Sequence, residues 1–392
     1  MILPLSLDST DSSKQLIDYQ RIGQQRVQIQ KSCIQTGSAG GVIIHERYIL
    51  TSAACIEDAK HFYVVSGLSR HRADYKTNRE KAKGKRTELC EKGWYSFQEK
   101  GNECIKNGAK KAVWKCVPKS YHYDGDDFDN IRWMVGDIAV VKVEDNFNFE
   151  RRIRGCDFIP KKVYYNNHSA ELEKASQFGT IAGWGTTDRF GDYYNHPHHK
   201  NNVRITENSP VLLETDVRLV SKKNCKRHWE PRYHFVIDED MICTTDSTDS
   251  ESMSTVCSND HGGPLIVGQG KSSVVIGVMS ACLTKDITKK CYGPFLFTSV
   301  YRYRNLITCA IEKDLGPTCR ILLRSSKTPM IETSFDWSNH ADGPAKDDHS
   351  VHKVRAEDVM LEDPKPTTRP PKAKAKPEKT ATTAKLAVST VT

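Results

Sequence analysis

His261, in the run Cys257-Ser258-Asn259-Asp260-His261-Gly262-Gly263-Pro264-Leu265, and Asp137, in Gly136-Asp137-Ile138-Ala139-Val140-Val141, are side chains of types that can take part in acyl-transfer chemistry. An imidazole exchanges a proton near neutral pH. A carboxylate buried in an apolar run can hold an imidazole in one tautomer while a hydroxyl attacks a carbonyl. Such an attack needs a proton acceptor beside the nucleophile, because a hydroxyl is weakly reactive at its own pKa. The third segment of interest, Thr51-Ser52-Ala53-Ala54-Cys55, offers no acceptor at Ala54. His261 would therefore have to attack without a partner base, and its ring is longer than a serine side chain.

These segments resemble three motifs of the chymotrypsin-like (trypsin family) serine proteases. The first is similar to the nucleophile loop C-x-G-D-S-G-G-P-L with His261 in place of the serine. Ala54 stands where the family's T-A-A-H-C carries its histidine, and Asp137 matches the aspartate of D-I-A-L. Further matches follow in the family's order: Ala39-Gly40-Gly41-Val42 leading to Ile49-Leu50, Thr180-Ile181-Ala182-Gly183-Trp184-Gly185, Gly277-Val278-Met279-Ser280-Ala281-Cys282, and Pro294-Phe295-Leu296-Phe297-Thr298-Ser299-Val300. The resemblance implies an all-β fold of two six-stranded Greek-key β-barrels, closed by a C-terminal helix that begins near Tyr303. It also implies a degenerate triad at Ala54, Asp137 and His261, hence a pseudoenzyme. Knocking out the serine or histidine in subtilisin costs about a millionfold in turnover.

The rest of the implied site is altered as well. Asn259 takes the place of the glycine whose N–H helps to bind an oxyanion, and it tolerates unusual backbone angles less well. Thr255 stands at the implied base of the specificity pocket, with Cys282 and Phe295 at two wall glycines. Phe295 either fills that pocket from inside or is one more core aromatic. Arg21-Ile22-Gly23 lacks the second glycine of an activation site, which leaves Asp260 to be satisfied by His261 or by a backbone N–H.

Elements able to position these residues are visible as short apolar runs at Gly41 to Ile44, Ile138 to Val143, Val211 to Leu213, Val274 to Val278 and Leu296 to Val300, separated by turn-rich loops. Of the 392 residues, 38% are hydrophobic, enough for a core. No apolar run is long enough to span a membrane. The expected organisation is a leader over 1–24, a protease-like domain over 25–315, and an extension over 316–392 that is mostly disordered from about 325, where periodicity is lost and proline and lysine accumulate.

Thirteen cysteines point to an oxidising compartment. The resemblance implies the pairs Cys225–Cys243 and Cys257–Cys291. Cys104 with Cys116 would close a small insertion loop, Cys156 would reach Cys309 or a partner chain, and Cys55 would pair with Cys33 or stay reduced. The pairing of Cys90 and Cys319 is open, and the odd count leaves one thiol over. The apolar start at Met1 is too short for a signal peptide, yet the cysteines and the sequon at Asn167-His168-Ser169 argue for secretion and glycosylation at Asn167.

Two additions carry charge or ligand atoms of their own. Residues 76–116 hold ten lysines and two arginines against five glutamates, a basic insertion with Trp94, Tyr95, Phe97 and Trp114 interleaved. Lys81, Lys83, Lys85 and Arg86 would make an exosite for a polyanion, unless the segment is only a solvated loop. His196-Pro197-His198-His199 is a polar loop rather than a four-ligand metal site. The sequence thus reads as a secreted, non-catalytic serine protease homologue. Its expected role is binding partner, cofactor or decoy for extracellular proteins, an active protease among them. A serine-type endopeptidase with residual activity and a polyanion-binding module are the alternatives. No cofactor, metal, nucleic acid or membrane span is expected.

Overall fold

The computed structural model describes residues 26–31, 38–69, 103–125, 131–185, 193–194, 203–204, 209, 211–245, 260–284, 291–312, 319, 330–340 and 342–346. The first half is built from β1 (Arg26–Lys31), β2 (Ser38–Ile43), β3 (Tyr48–Thr51), β4 (Phe62–Ser66), α1 (Glu103–Gly108), β5 (Ala109–Pro118), the hairpin β6 (His122–Gly125) and β7 (Ile131–Val135), and β8 (Ala139–Val143). The second half holds β9 (Tyr164–Tyr165), β10 (Phe178–Gly183), the ribbon β11 (Tyr193–Tyr194) and β12 (Val203–Arg204), and β13 (Leu213–Val220). It continues through α2 (Lys222–Cys225), α3 (His234–Asp240), β14 (Met241–Thr244), β15 (Pro264–Val267), β16 (Val274–Thr284) and β17 (Cys291–Ser299) to α4 (Arg304–Ile311). A last strand, β18 (Met330–Ser334), returns to the first half.

Each half closes six antiparallel strands into a barrel and then adds a seventh strand. In the first the order is β5-β4-β1-β2-β3-β8 with β8 pairing back to β5, and β18 lies on β5. In the second it is β15-β10-β13-β14-β17-β16 with β16 pairing back to β15, and β9 joins β16 in parallel. The two six-stranded barrels and the closing helix are those of a chymotrypsin-like fold.

The continuous apolar run of β8 has a physical reason in this arrangement. Ala139, Val141 and Val143 enter the core of the first barrel, while Ile138 and Val140 turn the other way, against Val275, Val278 and Val300 of the second and Leu306 and Ile307 of α4. A strand packed on both faces shows no polar alternation. Asp137, at the entrance to this strand, is consequently carried into a fully buried position.

Two expectations from the sequence are corrected here. Residues 103–116 are not a surface insertion: they form α1 and most of β5, where Trp114 is buried and Lys111 pairs in register with Tyr63. Disorder from about residue 325 does not hold for residues 330–340 and 342–346. Ile331 to Ser334 add to β5 from Val117 back to Trp114, and Phe335, Trp337 and Ala345 enter the first barrel's core. The buried rings of Phe335 and Trp337 contribute apolar burial toward the cost of ordering this segment.

Three disulfides lie wholly within the described residues: Cys104–Cys156, Cys225–Cys243 and Cys309–Cys319. Cys291 is also disulfide-bonded. The expected partner Cys257 lies outside the described residues, as do Cys33 and Cys90. The pairings Cys104 with Cys116 and Cys156 with Cys309 are corrected. Cys104 sits on α1 against the turn that ends in Cys156, whereas Cys116 is a buried free thiol in mid-strand opposite Val140 and Glu332.

Candidate functional site

Asp137 is held by donors from three separate elements. Its Oδ1 accepts from the Ser52 hydroxyl at 2.6 Å and from the backbone N–H of Ala54 at 2.9 Å, both in the turn after β3. Its Oδ2 accepts from the Ser280 hydroxyl of β16 at 2.6 Å. Its own carbonyl accepts from Thr298 Oγ1 of β17 at 2.8 Å, and the preceding Gly136 N–H donates to Asp240, to which Tyr303 also donates. Burial pushes the carboxyl above the usual carboxylate range, opposed by the hydrogen bonds from Ala54, Ser280, Ser52 and Ala53. The barrels therefore meet on this one carboxylate.

Among the described residues, no imidazole is hydrogen-bonded to Asp137. Ala54 presents a methyl group. The Ser52 hydroxyl and the Ala54 N–H share Oδ1 of the carboxylate. Ser52 and Ser280 are themselves completely buried. The sequence signal for Ser52 was a hydroxyl beside the lost base, and it gained meaning only once the turn brought it onto the carboxylate.

His261 is also completely buried. Desolvation lowers its pKa to about 3, so the ring is neutral across the physiological range. Its backbone is fixed from both barrels: Gly40 N–H donates to the His261 carbonyl at 2.7 Å, and Gly262 N–H donates to the Met279 carbonyl at 2.9 Å. Gly262 has φ +77°, and a Cβ there would fall 2.3 Å from Thr51 Oγ1 and 2.4 Å from the Gly40 carbonyl, so glycine is required on both counts. An imidazole without solvent access cannot attack a substrate carbonyl.

Asp260 accepts from the backbone N–H of Gly185 at 2.9 Å, which places the carboxylate against the Trp184-Gly185 turn. Of the two partners considered from sequence, the backbone N–H is one this carboxylate uses. Phe295 is completely buried on β17 opposite Thr244, and it shares a core cluster with Cys282, Cys291, Met279 and Phe297. Thr255, Asn259, Lys81, Lys83, Lys85, Arg86 and the histidines at 196, 198 and 199 lie outside the described residues.

The lysines of β5 are engaged within the fold. Lys111 Nζ donates to the carbonyls of Asp342, Gly343 and Pro344 at 2.9, 2.7 and 2.9 Å, and Lys110 pairs with Asp145. Lys115 Nζ donates to the Ile56 carbonyl at 3.0 Å. Asn167 is exposed between β9 and the helical turn at Ala170–Glu173, whose start is capped by Ser169. Among the described residues no helix is long and apolar enough to cross a membrane, and no cluster of three or more potential metal ligands occurs.

Comparison with known proteins finds similarity to serine proteases. Residues 122–307 match the family model described as Trypsin. The chain is 21% identical over 310 residues to a chymotrypsin of Phaedon cochleariae, covering 77% of this chain and 84% of that protein. It is 25% identical over 259 residues to serine protease grass of Drosophila melanogaster, covering 64% of this chain and 50% of that protein. With trypsin epsilon of Drosophila erecta it shares 29% identity over 146 residues, 37% of this chain and 45% of the relative. Among solved structures, neuropsin, a serine protease expressed in the limbic system of mouse brain, aligns with a TM-score of 0.45 at 18% identity, over 74% of this chain and 95% of that one. In its motifs, its paired barrels and the match over residues 122–307, the chain is similar to the trypsin-like serine proteases.

Proposed function

We propose that this homologue is a secreted, non-catalytic protein that works by binding another extracellular protein as cofactor, adaptor or decoy, with an active protease as the favoured partner. One observation carries the reading. Asp137 is satisfied by Ser52, Ala54 and Ser280, while the ring at the nucleophile position, His261, is completely buried and neutral. A triad works by moving a proton from nucleophile to imidazole under the hold of the carboxylate, and here the carboxylate holds no imidazole. Phe295 and Cys282 support the same reading, since both are core residues where an open pocket would need glycines. The disulfides and the exposed Asn167 support secretion with a glycan at that residue.

The test is incubation of the purified protein with a fluorophosphonate probe and with peptide and ester substrates. No labelling and no hydrolysis above a boiled control are expected. Turnover that Asp137→Asn abolishes would overturn the proposal.

A further inference from the structure

Residues 335–346 lie against β4 and β5 of the first barrel. Trp337 is completely buried, and its Nε1 donates to the Ala112 carbonyl at 2.7 Å. Its ring centroid is 5.1 Å from Tyr63, 4.6 Å from His61 and 4.6 Å from His340, with Lys111 Nζ 5.3 Å away. Phe335 packs edge-on to Phe62 at 5.2 Å. Around the aromatic centre the polar contacts close: Tyr63 donates to Asp342, Lys111 takes three carbonyls of the segment, and the Lys346 N–H donates to Glu144 Oε2 at 3.0 Å.

Two histidines sit inside this contact, their rings 4.9 Å apart. His61 Nε2 is 2.6 Å from the Asp336 carbonyl, which only accepts, so this nitrogen carries the hydrogen. His340 Nδ1 accepts the Asp342 N–H at 3.2 Å, so this nitrogen carries none. A second proton on His340 would go to the accepting nitrogen and remove that bond. It would also place a cation in a side chain only 10% exposed, beside Lys111 and the other histidine.

We propose that residues 335–340 and 342–346 form an acid-released strap, docked on the first barrel while His340 is neutral and set free in mildly acidic solution. The groups that face the pair are Lys111 from β5, Tyr63 from β4, Glu144 just beyond β8, and Asp336 and Asp342 from the strap itself. Asp342, with Oδ2 3.6 Å from His340 Nδ1, favours protonation. Burial, His61 and Lys111 oppose it, and the His340 pKa is lowered on balance. The docked state therefore binds fewer protons than the released one, and the balance tilts to release as the pH falls below about 6.5, the ordinary histidine value. Release bares Phe62 and Tyr63 on the barrel and Phe335 and Trp337 on the strap.

The experiment is hydrogen exchange by mass spectrometry on the full chain, stepped from pH 7.5 to 5.0 and corrected for intrinsic rates, with β10 and β13 of the second barrel as internal reference. Protection over residues 335–340 and 342–346 should fall severalfold between pH 7 and 5.5, as expected where protonation favours the released state, while the reference holds. His61→Gln with His340→Asn keeps a donor and an acceptor in place without a titrating ring, and should flatten the response. Unchanged protection in the parent chain would overturn the strap, as would an identical fall in the double variant. Loss beginning only below pH 5 would overturn the histidine mechanism, whether or not the double variant docks.

Discussion

The Ser52 hydroxyl donates to Asp137 Oδ1 at 2.6 Å, across 85 residues of sequence and inside the fully buried meeting point of the two barrels. Burial alone would push this carboxyl toward its neutral form, and the hydroxyl is one of the groups that restrain the shift. Ser52 thus satisfies one oxygen of the buried carboxylate from across the chain.

Ser52→Ala should lower the unfolding free energy by about 1–3 kcal/mol, the cost of leaving a buried acceptor short of a donor. The folded carboxyl has a raised pKa, so between its ordinary value near 3.9 and the folded value the native chain binds more protons. This group therefore favours folding more as the pH falls. Removing a donor that supports the ionised form raises the folded value further. The loss should consequently be larger at pH 7.5 than at pH 4, as read by urea unfolding at both. Equal losses would show that Ser52 does not sense the charge on Asp137.

Restoring the chemical groups should not restore the chemistry. Ala54→His with His261→Ser returns a base and a nucleophile, but the new imidazole must compete with Ser52 for Oδ1, and Phe295 and Cys282 remain packed in the core. Ester hydrolysis by the double variant should stay at the level of the parent chain. A clear burst of acyl-enzyme would show that Ala54 and His261 were the only obstacles, leaving the core at Phe295 without a role in inactivity.

The barrels were legible because their strands carry motifs whose spacing survives even where the reactive residues do not. Gly262 and the Gly40 segment stand in a local context that the fold cannot vary without clashes, since any Cβ at Gly262 would collide with Thr51 Oγ1 and the Gly40 carbonyl. Long-range compensation was not legible. Ser52 and Ser280 meet Asp137 only through tertiary packing, and nothing local to Ser334-Phe335-Asp336-Trp337 announces that Ala112 and Lys111 await it. For the same reason Cys104 was matched to its near neighbour Cys116, when the turn at Cys156 brings the true partner from 52 residues away.

Cys116 should resist alkylation until the first barrel unfolds. Its thiol is buried on β5, 3.2 Å from Met330 Sδ, and burial raises its pKa well above the ordinary range, with Glu332 adding to the effect. Reactivity follows the thiolate, which is scarce here at neutral pH. Iodoacetamide labelling followed by non-reducing peptide mapping should find Cys104 joined to Cys156, Cys309 to Cys319, and Cys116 modified only in denaturant. Rapid labelling of Cys116 in the native protein would mean that β18 does not cover it.

Trp337→Ala measures how far the returning segment belongs to the barrel. The ring is completely buried between Tyr63 and the two histidines, and its N–H has a partner in Ala112. Truncating a buried tryptophan costs about 3–5 kcal/mol when the surroundings cannot collapse into the space. Here they cannot collapse freely, because Lys111 is tied to three consecutive carbonyls of the strap and Lys346 to Glu144. Denaturant unfolding at pH 7.5, read at the first barrel, should show a loss in that range. A loss below about 1 kcal/mol would mean that the strap peels away before the barrel unfolds, making residues 330–346 a separately opening unit.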